Sequence, residues 1–339
     1  MTKQAPSQAM CLSIILPLSA PQPRLEACLA DWRRQMAAGD ELLLICQGQA
    51  ALEQARELAA SPGPANPQTR VLALPPSGGD GPARVLGAAE AKAQVLLFGL
   101  PDCLPHRELL PRLRQAFEDK GLTGLAGQVR PVGQEGRLAA LAGLELAWRR
   151  AGQDLPSPAC LALRRRALLE AGGLDPACAS GGGDLWDLWL RLERAGRRLE
   201  HDDQCQVQAP QPATWSGLLA RAHREGREMF LARRLGNGQA LAHDHAWTQA
   251  ALVLAALGLL LALWGPAPER AWSLATICLL LLYPLNREFI SLVAQKEPPA
   301  LGPALLYCLL RPWAWTAGLL AGALGRLGGA GFRPGTING

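Results

Sequence analysis

The sequence predicts an α/β fold: a doubly wound, mostly parallel sheet followed by C-terminal transmembrane helices. Two observations carry this. Ahead of Leu100, four short apolar runs alternate with helical patterns, and strand–helix alternation builds a parallel sheet with both faces covered. The last third of the 339 residues is almost continuously apolar, unlike the mixed first two thirds.

The strands are expected at Leu12–Pro17 (LSIILP), Glu41–Cys46 (ELLLIC), Arg70–Leu74 (RVLAL) and Gln94–Gly99 (QVLLFG). Such brief runs, bounded by turn residues, suit strands buried on both sides. Helices are expected between them at Pro23–Met36, Ala51–Ala60 and Ala83–Ala93, with Ser61–Gln68 and Pro75–Pro82 as loops by composition. In this architecture ligands bind beyond the carboxyl ends of the strands. The loop PPSGGDGP leads into a helix, but its glycine spacing fits neither common phosphate-binding loop.

Further along, Gly182–Gly196 reads GGDLWDLWLRLERAG, with two acids three apart and a glycine stop. Asp184 and Asp187 share a helix face, and Arg191 stands four after Asp187. Asp184 suits an N-cap as well as a catalytic acid. Trp186, Trp189 and the leucines read most simply as core.

Ala246–Pro268 contains no Asp, Glu, Lys or Arg and is long enough to cross roughly 30 Å of hydrocarbon. Ala271–Asn286 is a shorter candidate. Ala300–Gly325 is a third, interrupted by Arg311 and Pro312. An arginine at the bilayer centre costs about 2.5–3.5 kcal/mol, so this stretch is expected to divide into an interfacial piece and a short span. Arginines cluster in Leu218–Gly236 immediately before the apolar third. That adjacency places a cytoplasmic membrane face there. The domain expectation is therefore residues 1–213 as a cytoplasmic domain, 214–245 as a basic amphipathic juxtamembrane segment, and 246–330 as two or three transmembrane helices.

A net charge of +5 is too mild to argue for nucleic acid. The nine cysteines form no C-x-x-C pair and suit a reduced, cytoplasmic chain. The polar N-terminus and the short run ending at Pro17 do not make a secretory signal. His243 and His245 read as a polar turn or as metal ligands.

From Leu12 to Gly236 the order of features resembles the family-2 glycosyltransferases of the GT-A fold. LSIILPLSAPQPRLEACLADWRRQ is similar to the family's opening strand and helix. GPARVLGAAEAKAQVLLFGLPDCLP resembles its "G.A.ARN.G" helix and D-x-D strand. CLALRRRALLEAGGLDP and GDLWDLWLRLERAGRRLEH look like its acceptor-side segment and its "EDWDLWLRL" helix. The resemblance implies a nucleotide-sugar donor and a lipid-linked or envelope glycan acceptor. It also implies a bacterial inner-membrane location and Mg²⁺ or Mn²⁺ at the D-x-D acids. Carried over by position, Asp102 serves metal or diphosphate, Arg84 the nucleotide, Asp184 the general base, and Asp187 supports the helix through Arg191.

The chain departs from the pattern at several positions. Leu18 and Ser19 replace a polar pair, and Cys46–Gln49 replace the acids that hold the nucleoside. Val85, Leu100 and Leu185 replace an asparagine, the first D-x-D acid and the usual base. An inactive relative that serves as an interaction module in a glycan-assembly complex is the alternative that these losses imply.

Overall fold

The structure, a computed structural model, describes residues 10–60, 68–76, 79–132, 136–150, 156–175, 183–234 and 286–327. Ala246–Pro268, His243, His245 and all of the second apolar stretch but Asn286 lie outside the described residues. The chain divides into two compact units, Met1–Ala213 and Thr214–Gly339.

The first unit is a mixed, mainly parallel α/β sheet. Its elements run β1 (Leu12–Leu18), α1 (Leu25–Gln35), β2 (Glu41–Gln47), α2 (Gln49–Ala60), β3 (Gln68–Leu74), α3 (Asp80–Glu90) and β4 (Val95–Gly99). Then follow β5 (Leu104–Pro105), α4 (Leu109–Phe117), β6 (Leu122–Val132), α5 (Arg137–Arg150), β7 (Cys160–Arg164), α6 (Arg165–Glu170), α7 (Gly183–Arg194) and β8 (Arg198–Pro210). The sheet order is β3-β2-β1-β4-β7-β6-β8-β5. Strands β3, β2, β1 and β4 are parallel neighbours, whereas β7 runs antiparallel to β4 and β6.

All residues of β1, β2 and β4 are buried, as the unbroken apolar runs require. Alternate side chains leave a strand on opposite faces. Leu12, Ile14, Leu16 and Leu18 join Leu42, Leu44 and Cys46 against α1, α2 and α4. Ile15, Leu43, Ile45 and Phe98 face α3, α6 and α7. Gly87 lets α3 approach closely, since a Cβ there would stand 2.5 Å from Ile15 Cγ2. Helix α3 begins at Asp80, inside the stretch that composition reads as a loop.

At the amino ends of the strands, Glu41 opens β2 and accepts hydrogen bonds from Ser13 Oγ (2.6 Å), Lys92 N (2.5 Å) and Arg70 Nη1 (3.3 Å). Burial alone would raise this carboxyl, but the three donors outweigh it and hold the acid below its ordinary value. Asp40 beside it accepts from Leu12 N (2.9 Å) and Ala37 N (2.7 Å) and pairs with Arg114.

The second unit contains α8 (Trp215–Arg234), α9 (residues 286–296), a 3₁₀ turn (Pro298–Ala300) and α10 (Leu301–Leu327). Helix α10 runs straight through Arg311 and Pro312 and pairs with α8. A Cβ on Gly226 would stand 1.9 Å from Trp315 O, and one on Gly318 would stand 1.8 Å from His223 O. The two backbones therefore touch, and the pairing order makes the helices antiparallel. Arg311 is buried and faces Glu225 at 3.8 Å, while Arg221 stands 3.5 Å from the same acid. The 27-residue stretch Pro298–Leu324 includes an 18-residue window of mean hydropathy 1.2, and is long and apolar enough to cross a membrane by length and composition.

Glu41→Gln is expected to cost about 1.5–3 kcal/mol at pH 7, the usual worth of hydrogen bonds to a charged group. Because the folded carboxyl is depressed, its stabilisation is complete above the unfolded pKa of about 4.3 and fades as pH falls through the folded value. Denaturant melts at pH 7 and pH 3 should therefore show the variant and parent converging in acid. An unchanged gap between them would show that the charge is not what matters.

Candidate active site

The carboxyl ends of β1, β2, β3 and β4 lie at Leu18, Gln47, Leu74 and Gly99. After β2 the chain turns at Gly48, whose φ of +88° is a conformation that glycine adopts without strain. Gln47 stands where the resemblance leads one to expect acids. Its Nε2 donates to Gly79 O (2.7 Å) and pins the loop that starts α3. That amide is engaged in shaping the loop.

After β4, the turn Leu100–Cys103 presents Asp102 half-buried. The turn is held from below, where the Cys28 thiol on α1 donates to Cys103 O (3.1 Å). Burial pushes the Cys28 thiol up to about 12 and raises Cys103 well above its usual value, with Asp102 adding to both shifts. These thiols stay protonated, which suits donors and not nucleophiles. Asp102 Oδ1 accepts only a long contact from Cys103 Sγ (3.5 Å). Among the described residues, no hydrogen bond or ion pair joins Asp102 to Arg84, Asp184 or Asp187.

A divalent ion takes six or more oxygen ligands. Leu100 supplies none, and no group of three or more His, Cys, Asp or Glu comes together among the described residues. The described side chains thus bring one carboxylate, Asp102, to this turn. The expectation of Mg²⁺ or Mn²⁺ held at Asp102 has one carboxylate behind it.

Arg84 and Asp184 meet. Arg84, on the second turn of α3, is 1% exposed, and Asp184, on the first turn of α7, is 0% exposed. Arg84 Nε donates to Asp184 Oδ2 and Nη2 to Oδ1, both at 2.8 Å, forming a two-pronged fork. Asp80, four residues before Arg84 and partly exposed, stands 4.0 Å from Nη1. So the residue expected at the nucleotide and the residue expected at the acceptor neutralise each other in the dark of the core.

Helix α7 is anchored along its length. Asp187 Oδ2 accepts from Arg191 Nε (2.8 Å), as the four-residue spacing predicts. Arg191 also donates to Ala171 O and to Gly173 O (2.7 Å), clamping the glycine pair that ends α6. Leu185, Leu188, Trp189 and Leu192 fill the core beneath, and Trp186 Nε1 donates to Pro156 O (2.7 Å). The helix stops at Gly196 (φ +67°), where Arg197 N bonds Leu192 O (3.0 Å) and Gly196 N bonds Glu193 O (2.9 Å). Sequence reasoning passed over Glu145, a carboxylate 1% exposed on α5. Nothing in its local sequence separates it from an ordinary helix glutamate.

Trp189→Ala should cost about 3–5 kcal/mol in a reversible melt, since this indole is buried beneath α7. A variant that melts with the parent would mean that α7 does not pack through this residue. Losing either member of the Arg84–Asp184 pair should cost about 3–5 kcal/mol, because the survivor is a buried unpaired charge. The double variant Arg84→Met, Asp184→Leu should recover most of that loss. Additive single effects would deny the coupling.

Comparison with known proteins bears on this geometry. Residues 13–170 match the family model described as Glycosyl transferase family 2. No curated protein matches the sequence. Among solved structures, the chain is similar to the mannosyltransferase PcManGT from Pyrobaculum calidifontis, in complex with GDP-Man and Mn²⁺. The identity is 16% and the TM-score 0.62, over 93% of this chain and 87% of that one. S. aureus TarS 1–349 aligns with TM-score 0.46 and 14% identity over 94% and 92% of the two chains. Glucosyl-3-phosphoglycerate synthase from Mycobacterium tuberculosis, with Mn²⁺, UDP-Glc and phosphoglyceric acid, aligns with TM-score 0.46 and 17% identity over 67% and 80%.

Proposed function

We propose, from the match of residues 13–170 to the model of the family-2 glycosyltransferases, that this chain is a membrane-anchored glycosyltransferase of that family. It would transfer a sugar from a nucleotide-sugar donor to a lipid-linked or envelope glycan acceptor. The observation that carries the reading is the family match itself. It spans β1 to α6, and so takes in the carboxyl ends of β1, β2, β3 and β4, the edge at which such a fold binds its ligand. The apolar region 246–330 anchors the protein in a bacterial inner membrane, with residues 1–213 in the cytoplasm and the arginines of α8 on the cytoplasmic face.

In this reading the donor diphosphate approaches Asp102 and Arg84 at the strand edge. In the closed fork both Asp184 oxygens accept from Arg84, so neither is turned to an acceptor hydroxyl. The diphosphate must therefore draw Arg84 toward itself, and that exchange releases Asp184 to take the proton of the acceptor hydroxyl. Asp187 keeps α7 in place through Arg191 and does no chemistry. Mg²⁺ or Mn²⁺ belongs to this reading as a companion of the donor, since the described residues offer it one carboxylate at the turn after β4.

A second reading is favoured by the closed Arg84–Asp184 pair. If the pair never opens, the chain is an inactive relative that keeps the fold as an interaction module for glycan assembly.

Calorimetric titration of the full-length protein with UDP and GDP, with and without Mn²⁺, separates the two. The active reading expects no binding of Mn²⁺ alone, appreciable binding of nucleotide and metal together, and loss of both in Asp102→Asn. It also expects Asp184→Asn to lower turnover by about 10²–10⁴ with donor binding nearly intact, the usual worth of a general base. Absence of any nucleotide affinity, with a cellular phenotype that survives Asp102→Asn and Asp184→Asn but not deletion, would establish the inactive reading. Full transfer by the Asp102→Asn, Asp184→Asn double variant would remove these residues from the chemistry.

A further inference from the structure

We propose that α8 and α10 form a hairpin that lies in the interface of an anionic membrane, so that α10 is embedded along its length and does not cross. This rests on the membrane reading above and names the part of the membrane that the second unit occupies.

The hairpin shows two exposed faces of opposite character. Between Leu301 and Leu324, every exposed position of α10 is Gly, Ala or Leu. Leu305, Leu306, Leu309, Leu320 and Leu324 are 41–62% exposed. They repeat at three- and four-residue helical steps on either side of the central turns. The opposite side of α10, through Ala304, Tyr307, Cys308, Arg311 and Trp315, is buried. On the part of α8 up to Arg227, the exposed positions are Ser216, Ala220, Arg224 and Arg227, also at helical spacing. Apolar side chains and unscreened guanidinium groups thus stand on one rigid pair of touching backbones. That combination fits acyl chains and anionic headgroups together.

The register argues against a span. Gly226 abuts Trp315, and Gly318 abuts His223, so Arg224 and Arg227 lie beside residues 315–318 of α10. The midpoint of Pro298–Leu324 is residue 311. Four to seven residues at 1.5 Å each place those arginines about 6–10 Å along the axis from that midpoint. The hydrocarbon half-thickness is about 15 Å. Were α10 to cross the bilayer, it would carry two exposed arginines into the hydrocarbon with it. An axis parallel to the surface removes this conflict, because the leucines can point down while the arginines stay at headgroup level.

The two ends of α10 provide the test. Gly302 has open space where a Cβ would go, and Leu324 is exposed. Gly302→Cys and Leu324→Cys are made singly in the full-length protein and treated with a membrane-impermeant maleimide in sealed membranes of both orientations. Both positions lie on the membrane-facing side of α10, so neither thiol should gain label from the far face, and both should become reactive once detergent dissolves the membrane. Labelling from opposite faces would make α10 a span and overturn the proposal, leaving the membrane anchoring itself intact. A photoreactive residue at Leu309 or Leu320 should form lipid adducts, and adducts with protein alone would equally overturn it. Recovery of the unmodified chain in the soluble fraction after alkaline washing would instead fail the underlying membrane reading.

Discussion

The buried fork between Arg84 and Asp184 ties the first unit together. It joins the start of α3, which covers β1 and β2, to the start of α7, one hundred residues apart in the chain and in the same core cluster. Two charges in a site this dry are tolerated only as a geometrically exact pair, and losing one strands the other. Every other feature of the region is compatible with keeping the fork closed. Gly87 brings α3 down onto Ile15, Gln47 fixes the loop before α3, and Arg191 clamps α7 to the end of α6.

The same fork frames the functional question. At the carboxyl ends of β1, β2 and β4, the described residues offer few free polar groups. Cys46 and Leu18 are wholly buried, Gln47 serves the loop, and Leu100 and Leu185 bring no charge. Asp102 and Asp80 are acids that remain partly exposed there. A diphosphate is the sort of ligand able to compete with Asp184 for Arg84, since both offer paired oxygens to a planar guanidinium. Whether catalysis survives thus reduces to the free energy of exchanging one anionic partner for another.

The second unit solves a different electrostatic problem. Arg311 and Pro312 look disruptive in an apolar run, yet α10 stays helical through both. Glu225 on α8 answers the arginine, and glycines at 226 and 318 let the helices approach until backbone meets backbone. Small residues at a crossing gain close van der Waals packing that larger ones would prevent.

Periodicity and composition alone determined the four parallel strands, the helices between them and the helix from Asp184 to the Gly196 stop. These follow from local rules: runs buried on both faces, helical spacing, and a glycine that can take positive φ. The Asp187–Arg191 pair was legible for the same reason, being four residues apart. The partner of Asp184 was not. Arg84 is distant in sequence, and aligning each residue with a family role placed one at the donor and the other at the acceptor. Only the packing of α3 beside α7 brings them within 2.8 Å. Arg311 read as an interruption because its counter-charge lies on another helix, beyond any window of local sequence. Local physics fixes the elements, whereas the fate of each charge depends on which distant residue shares its buried volume.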